Sequence, residues 1–234
     1  MKITAHRGAS GYAPENTLAS VQLAINMKSD FVEIDVRQTA DQRIVLLHDK
    51  TLKRTTGLKK RISDVNYSDI EEIDAGSWFS KDFSSEKIPT LEQVLNLIKG
   101  KIKINIELKE TGNIEFALNV LSVVKYAKML SDAVFTSFDI DLITAIKEKS
   151  PRAKTGLILS RKPSSKIFLT NIDILSINRL SVNRKLVARA KEHGKEIHVW
   201  TVNSIREIKK FEEMSVDNII TNYPDKVQSC YYQL

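Results

Sequence analysis

The 234-residue sequence predicts a single (β/α)8 TIM barrel, an α/β fold, with a small insertion after the second strand. Three observations lead there. From Pro89 onward, short β-branched runs alternate with amphipathic segments of helical period, and with the N-terminal runs they make about eight strand–helix units. Neighbouring strands carry unbroken apolar sets on one side, Val32, Ile34 and Val36 in one and Ile102, Ile104, Ile106 and Leu108 in the next, as parallel strands beneath helices must. No linker-like composition divides the chain. Residues 1–234 therefore read as one domain, with the insertion at about 50–88.

Lys2 to His6 is a short strand that ends in His6-Arg7-Gly8. Pro14-Glu15-Asn16-Thr17 then opens a helical pattern with Leu18, Val21, Ala24 and Ile25 on one face. Proline followed by an acidic first turn stabilises a helix start, and holding the His6 loop is a second role compatible with the first. Residues 31–37 form the second strand, and another β-like run, 43–48, comes after a polar turn. Lys50 to Lys87 shows no sustained period and carries Trp78, Phe79 and Phe83.

Beyond it, Thr90 caps a helix that runs to Lys99. Strands follow at 103–109, 133–138, 154–159, 174–180, 196–202 and 218–222. Helices are expected from about Ile114 to Met129, then over 139–149, 183–193, 204–214 and from Asp225 to the terminus; Ser164 to Asn171 fits neither pattern.

Both faces of a closed parallel barrel are covered, so polar alternation along a strand is not a solvent face. Glu33, Asp35 and Arg37 point inward from one strand, and Asn105, Glu107 and Lys109 from another. An unpaired buried carboxylate costs several kcal/mol, on the order of magnitude that decides a fold. These acids must be paired, metal-bound, or placed at the open C-terminal mouth. A salt bridge to Arg7, Arg37 or Lys109 is one solution. A divalent cation is the favoured one, because a third carboxylate is at hand and oxygen-only ligation suits Mg²⁺ or Ca²⁺. His6 and His48, at two strand ends, are the candidate acid–base pair. His193, beside Gly194, fits a helix cap, and His198 shares a strand face with Trp200 and fills the barrel interior.

Composition narrows the partners. One cysteine, Cys230, excludes an internal disulfide framework and fits a reducing compartment. MKITAHRG lacks the apolar core of a signal peptide and no later run is long and apolar enough to span a bilayer, so a cytoplasmic protein without stable membrane insertion is expected. A net charge of +7 suits an anionic partner. The densest basic runs, Lys59-Lys60-Arg61 and 99–103, lack interleaved aromatics, which argues against nucleic acid.

Several motifs, in order, resemble the glycerophosphodiester phosphodiesterases: His6-Arg7-Gly8, Pro14-Glu15-Asn16-Thr17, Glu33-Ile34-Asp35-Val36, His48-Asp49, Thr51-Leu52 with Arg54-Thr55-Thr56-Gly57, Ile88-Pro89-Thr90-Leu91, Glu107-Leu108-Lys109, Trp200-Thr201-Val202-Asn203 and residues 219–225. The resemblance implies a (β/α)8 barrel with an insertion after the second strand. It also implies metal-dependent hydrolysis of a small glycerophosphodiester to sn-glycerol 3-phosphate and an alcohol. Glu33, Asp35 and Glu107 would hold the cation, His6 and His48 would be the acid–base pair, and Arg7 and Lys109 would bind phosphate. Trp200 is then either core or an apolar wall for the glycerol moiety. Two turns depart from the family pattern, Lys28-Ser29-Asp30 for Gly-Ala-Asp and Asp41-Gln42 for Asp-Gly. The rival readings are a lysophospholipase D-type head-group hydrolase, with an apolar groove beside Trp78, Phe79 and Phe83, and a phosphate-binding module without catalysis.

Overall fold

In the computed structural model, which describes residues 1–232, eight parallel strands close into a barrel. They are β1 (Lys2–Ala5), β2 (Phe31–Gln38), β4 (Lys103–Leu108), β5 (Ala133–Ser137), β6 (Lys154–Leu159), β7 (Ile174–Asn178), β8 (Glu196–Trp200) and β9 (Asn218–Thr221), with β1 pairing both β9 and β2. A ninth strand, β3 (Ile44–Leu46), runs antiparallel to the end of β2. The (β/α)8 reading therefore holds, and the 43–48 run is a return strand beside the barrel.

Helices cover the outside at Leu18–Asn26, Leu91–Ile98, Ile114–Tyr126, Ile140–Lys149, Arg184–Glu192, Ile205–Glu213 and Pro224–Tyr232. The expected C-terminal helix starts one residue early, and its predicted continuation into residues 233 and 234 lies outside the described residues. Polar caps set the starts: Thr90, Asn113, Asp139, Asn183 and Ser204 each accept a hydrogen bond from the first turn of their helix. The helix expected to reach Met129 stops at Tyr126. Lys128 there takes a left-handed conformation, φ +59°, and the Met129 amide turns back to the Val124 carbonyl. The unclassified stretch holds a 3₁₀ turn, Ser165–Leu169.

Between β3 and the helix at 91–98, the chain forms a single helical turn, Lys53–Thr56, and three 3₁₀ turns. This segment packs with Val45 of β3 around a small core of Leu47, Leu52, Ile62, Val65, Ile70, Ala75 and Ile88. The outer layer packs on the helix-facing sides of the strands, where Val32, Ile34, Val36, Ile104 and Ile106 are wholly buried. Each such side chain contributes roughly 1.5–3 kcal/mol.

One edge of β2 is shared between two partners. Its lower half pairs with β1, Thr4 opposite Phe31 and Ala5 opposite Val32. Its upper half pairs on the same edge with β3, Val36 opposite Leu46 and Gln38 opposite Ile44. At the seam between the two partners the chain leaves β1 at His6 and returns from β3 at His48.

Candidate active site

β2 and β4 run in register, Glu33 opposite Asn105 and Asp35 opposite Glu107. The shared inward face brings carboxylate oxygens of Glu33, Asp35 and Glu107 within 4.8 Å of one another. Glu33 and Asp35 are buried, and Glu33 Oε1 and Asp35 Oδ1 are shielded from solvent without a hydrogen-bond donor. Burial, then the charges of Asp35 and Glu107, push the Glu33 carboxyl well above its ordinary range. Glu107 is pushed up to about 7 by burial and by Asp35, against the opposing pull of Lys109. Burial acts the same way on Asp35, but Arg7 and Lys109 overcome it and hold that carboxyl low.

Two cations face the acids. Arg7 Nε lies 3.1 Å from Asp35 Oδ2, and Lys109 Nζ lies 2.6 Å from Glu107 Oε1 and 3.5 Å from Asp35 Oδ1. Arg37, considered as a third partner, turns elsewhere. It donates to the backbone carbonyls of His48 and Lys109 and to Glu110, tying β3 to the end of β4. Three acids against two close cations leave an excess of negative charge, which a divalent ion of the Mg²⁺ or Ca²⁺ kind would satisfy with these same oxygens. The unpartnered oxygens and the all-oxygen donor set fit such an ion.

The loop after β1 is shaped by its backbone. Arg7 and Gly8 both have positive φ, +55° and +80°, and a Cβ at Gly8 would stand 2.3 Å from the Ser20 hydroxyl and 2.6 Å from its backbone. Gly8 is thus fixed by close packing. The turn aims the Arg7 amide at Glu33 Oε2, 2.8 Å away. Asn16, itself at φ +58°, donates to Asp35 Oδ2 and accepts from the Asp35 amide. The helix begins only at Leu18, capped by Thr17. Glu15 is therefore no first-turn acid: it accepts from Arg7 Nη1 at 3.0 Å.

Both histidines reach this mouth. His6 Nδ1 meets the Asn222 side-chain carbonyl at 2.7 Å, and burial, with Arg7 beside it, brings the ring down to about 4. His48 Nδ1 meets Asp49 Oδ1 at 2.7 Å, and burial lowers its pKa too. Burial thus disfavours the charged form of both rings, and Nδ1 is the donor to an oxygen in each while Nε2 is left for chemistry. Both line one cleft with Arg7, Glu33, Glu107, Lys109 and Trp200. Each residue named from sequence as a candidate for metal, acid–base or phosphate duty is in or beside it. Asp35 stands behind the cleft surface, fully buried.

Apolar side chains, Phe138, Ile158, Trp200 and Ile220, line the same cleft. Trp200 donates from its indole nitrogen to the Ser176 carbonyl, and Phe138 meets it edge to face at 6.0 Å. Sequence reading gave Phe138 and Asn222 no separate role. Phe138 ends the 133–138 run, whose strand stops at Ser137, so its turn into the mouth has no periodic signal. Asn222 lies 216 positions from its partner His6. Trp78, Phe79 and Phe83 stack edge to face on one another and are absent from the cleft lining. His193 donates from Nδ1 to the Arg189 carbonyl on its own helix, the capping place expected of it, and His198 is buried in the barrel interior.

A phosphoric diester hydrolase is the class that this barrel and this mouth define. The family model described as the glycerophosphoryl diester phosphodiesterase family matches residues 6–226, and the chain belongs to that family. The Bacillus subtilis protein YhdW is 36% identical over 233 residues, 96% of either chain. A glycerophosphodiester phosphodiesterase from Caldanaerobacter subterraneus subsp. tengcongensis is 30% identical, with 95% of this chain and 94% of that one covered. Among solved structures, a phosphodiesterase of Oleispira antarctica in complex with the product sn-glycerol-3-phosphate superposes with a TM-score of 0.93 at 30% identity, over 99% and 96% of the two chains. Among the described residues no helix is long and apolar enough to cross a membrane.

Proposed function

We propose that the chain hydrolyses glycerophosphodiesters to sn-glycerol 3-phosphate and an alcohol, with a divalent cation, Mg²⁺ or Ca²⁺, held by Glu33, Asp35 and Glu107. The carrying observation is the trio of carboxylates within 4.8 Å, two of them with buried oxygens that accept no hydrogen bond, flanked by two imidazoles whose Nδ1 atoms are held. The product bound by the Oleispira antarctica phosphodiesterase supports the substrate class. When bound, the cation supplies Lewis acidity to the phosphoryl group and offsets charge that grows in the transition state.

The protein's own groups do the rest. Arg7 offers a planar fork and Lys109 a point charge to the phosphoryl oxygens, each already poised at the carboxylate edge. His6 and His48 divide proton removal from the nucleophile and proton delivery to the departing alkoxide. With Nδ1 held by Asn222 in one and Asp49 in the other, the base takes the nucleophile's proton on Nε2, and the acid enters the step as an imidazolium that already carries a proton there and gives it to the alkoxide. Trp200, with Phe138, gives the carbon skeleton of the glycerol an apolar wall beside the polar floor. Two imidazoles beside the acids favour catalysis over mere phosphate binding, which needs no acid–base pair. The lone cysteine supports a reducing, cytoplasmic setting.

The test is release of sn-glycerol 3-phosphate from glycerophosphocholine and glycerophosphoethanolamine, with a lysophospholipid alongside, before and after EDTA and on return of Mg²⁺ or Ca²⁺. Metal-dependent turnover of the glycerol diesters is expected. Turnover that ignores EDTA would remove the cation from the reading, and no turnover in either metal would remove the activity.

A further inference from the structure

Arg54 projects from the single helical turn Lys53–Thr56 in the segment after β3, outside the carboxylate cluster. Its guanidinium makes three short contacts. Nε donates to Asp49 Oδ2 at 2.7 Å, while Nη1 and Nη2 donate to Glu15 Oε2 and Oε1 at 2.9 and 2.7 Å. Each of these two acids has a second duty. Asp49 Oδ1 meets His48 Nδ1 at 2.7 Å, and Glu15 Oε1 accepts from Arg7 Nη1 at 3.0 Å. One planar side chain thus closes a continuous path from an imidazole at the mouth to the arginine at the acids.

We propose that Arg54 is a positioning residue that orients His48 through Asp49 and Arg7 through Glu15 at the same time. This rests on the reading of His48 as an acid–base group and Arg7 as a phosphate anchor. The bland account is a surface ion-pair network of the sort that contributes little. Geometry speaks against it. The Glu15 contact is bidentate, Glu15 is largely buried with a side chain 13% exposed, and the Arg54 guanidinium is also held 5.8 Å from the Trp78 ring. Asp49 is held down to about 2, its burial outweighed by the hydrogen bonds from Arg54 and His48. It therefore stays a carboxylate and fixes the His48 tautomer with Nε2 toward the cleft, as second carboxylates do for ligating or catalytic imidazoles. Lysine, a point charge, is unable to reach three oxygens in one plane.

The experiment compares wild type, Asp49→Asn, Glu15→Gln, Arg54→Ala and Arg54→Lys with glycerophosphocholine in saturating Mg²⁺. Asp49→Asn is expected to lower kcat by about tenfold to 100-fold with KM within twofold, since misplacement of a reacting group costs on that order. Glu15→Gln should chiefly raise KM. Arg54→Ala should do both, and Arg54→Lys should recover part of one effect but not of both together. Adding Asp49→Asn to Arg54→Ala should cost much less than the product of the two single effects. Arg54→Ala within twofold of wild type in both parameters, or effects that multiply independently, would overturn the positioning role. Circular dichroism checks the folds, and Arg54→Lys carries the same comparison should the alanine variant not fold. Wild type inactive on every glycerophosphodiester would instead remove the reading beneath, a result separable from an active wild type indifferent to Arg54.

Discussion

The barrel interior has two charged ends. At the floor, Glu196 meets Lys154 and His198, and Thr4 bonds Asn218. At the mouth, Glu33, Asp35 and Glu107 face Arg7 and Lys109. At the floor Glu196 lies between two basic groups, and hydrogen bonds from His198 and Lys154 bring it down to about 2. The mouth holds three acids for two cations, and two of the three are displaced upward. Charge that balances within the protein serves the fold. The acids left over at the mouth form a cluster that could hold a metal ion.

The hardest blow to this contrast comes from histidines at the two ends. His6→Ala or His48→Ala should reduce turnover by about 10²–10⁴, with the melting temperature little changed. His198→Ala, at the floor, should lower the melting temperature and leave kcat within about threefold, because it removes a buried ring and no reacting group. Steady-state kinetics beside thermal melts decide it, and a floor variant as inactive as the mouth variants would erase the distinction.

Next in size is Glu107→Gln, which should weaken Mg²⁺ or Ca²⁺ binding by at least about tenfold in titration calorimetry, since even outer-sphere changes at metal sites cost that much. Unchanged binding would break the three-carboxylate site.

Smaller, but opposite in sign at the two ends, is the response of stability to pH in metal-free protein. Glu107 has a folded pKa of about 7, above its unfolded value of 4.5. Its contribution is fully present below 4.5 and is lost as pH rises through 7. Glu196, at about 2, contributes above 4.5 and loses that contribution as pH falls through 2. Urea midpoints should show Glu107→Gln flattening the decline between pH 4.5 and 7, and Glu196→Gln flattening the acid limb between 4.5 and 2. The same limb flattened by both variants would contradict the assignment.

The smallest effect tests the scaffold alone. Lys28 precedes β2 at the floor side, exposed and at φ +52°, a backbone that favours glycine. Lys28→Gly should raise the melting temperature by about 2 °C without altering turnover, the left-handed conformation costing a side chain roughly 1 kcal/mol. No gain would mean that lost chain entropy cancels the relief.

Much of this was legible in the chain, for reasons that particular residues show. Val32, Ile34 and Val36 alternate with Glu33 and Asp35 because a barrel strand is sampled by both its surroundings, so the period alone carries the inward acids. The glycerophosphodiester phosphodiesterase resemblance likewise rested on motifs that lie at strand ends. What the chain concealed is contact over long separations. Asn222 and His6 meet across 216 positions, and Arg54 reaches Glu15 across 39. Arg37 was one of three cations that could have served the acids, and only the fold shows it spent on backbone carbonyls. Glu15 looked like a helix-start acid until the helix began three residues later.

The split edge of β2 bears on how such a molecule can diversify. Two imidazoles arrive from opposite directions onto one rigid rod, while the acids ride on that rod and its neighbour, so the stretch 58–87 carries none of them. It can lengthen, shrink or change its surface, and no carboxylate has to move for it to do so.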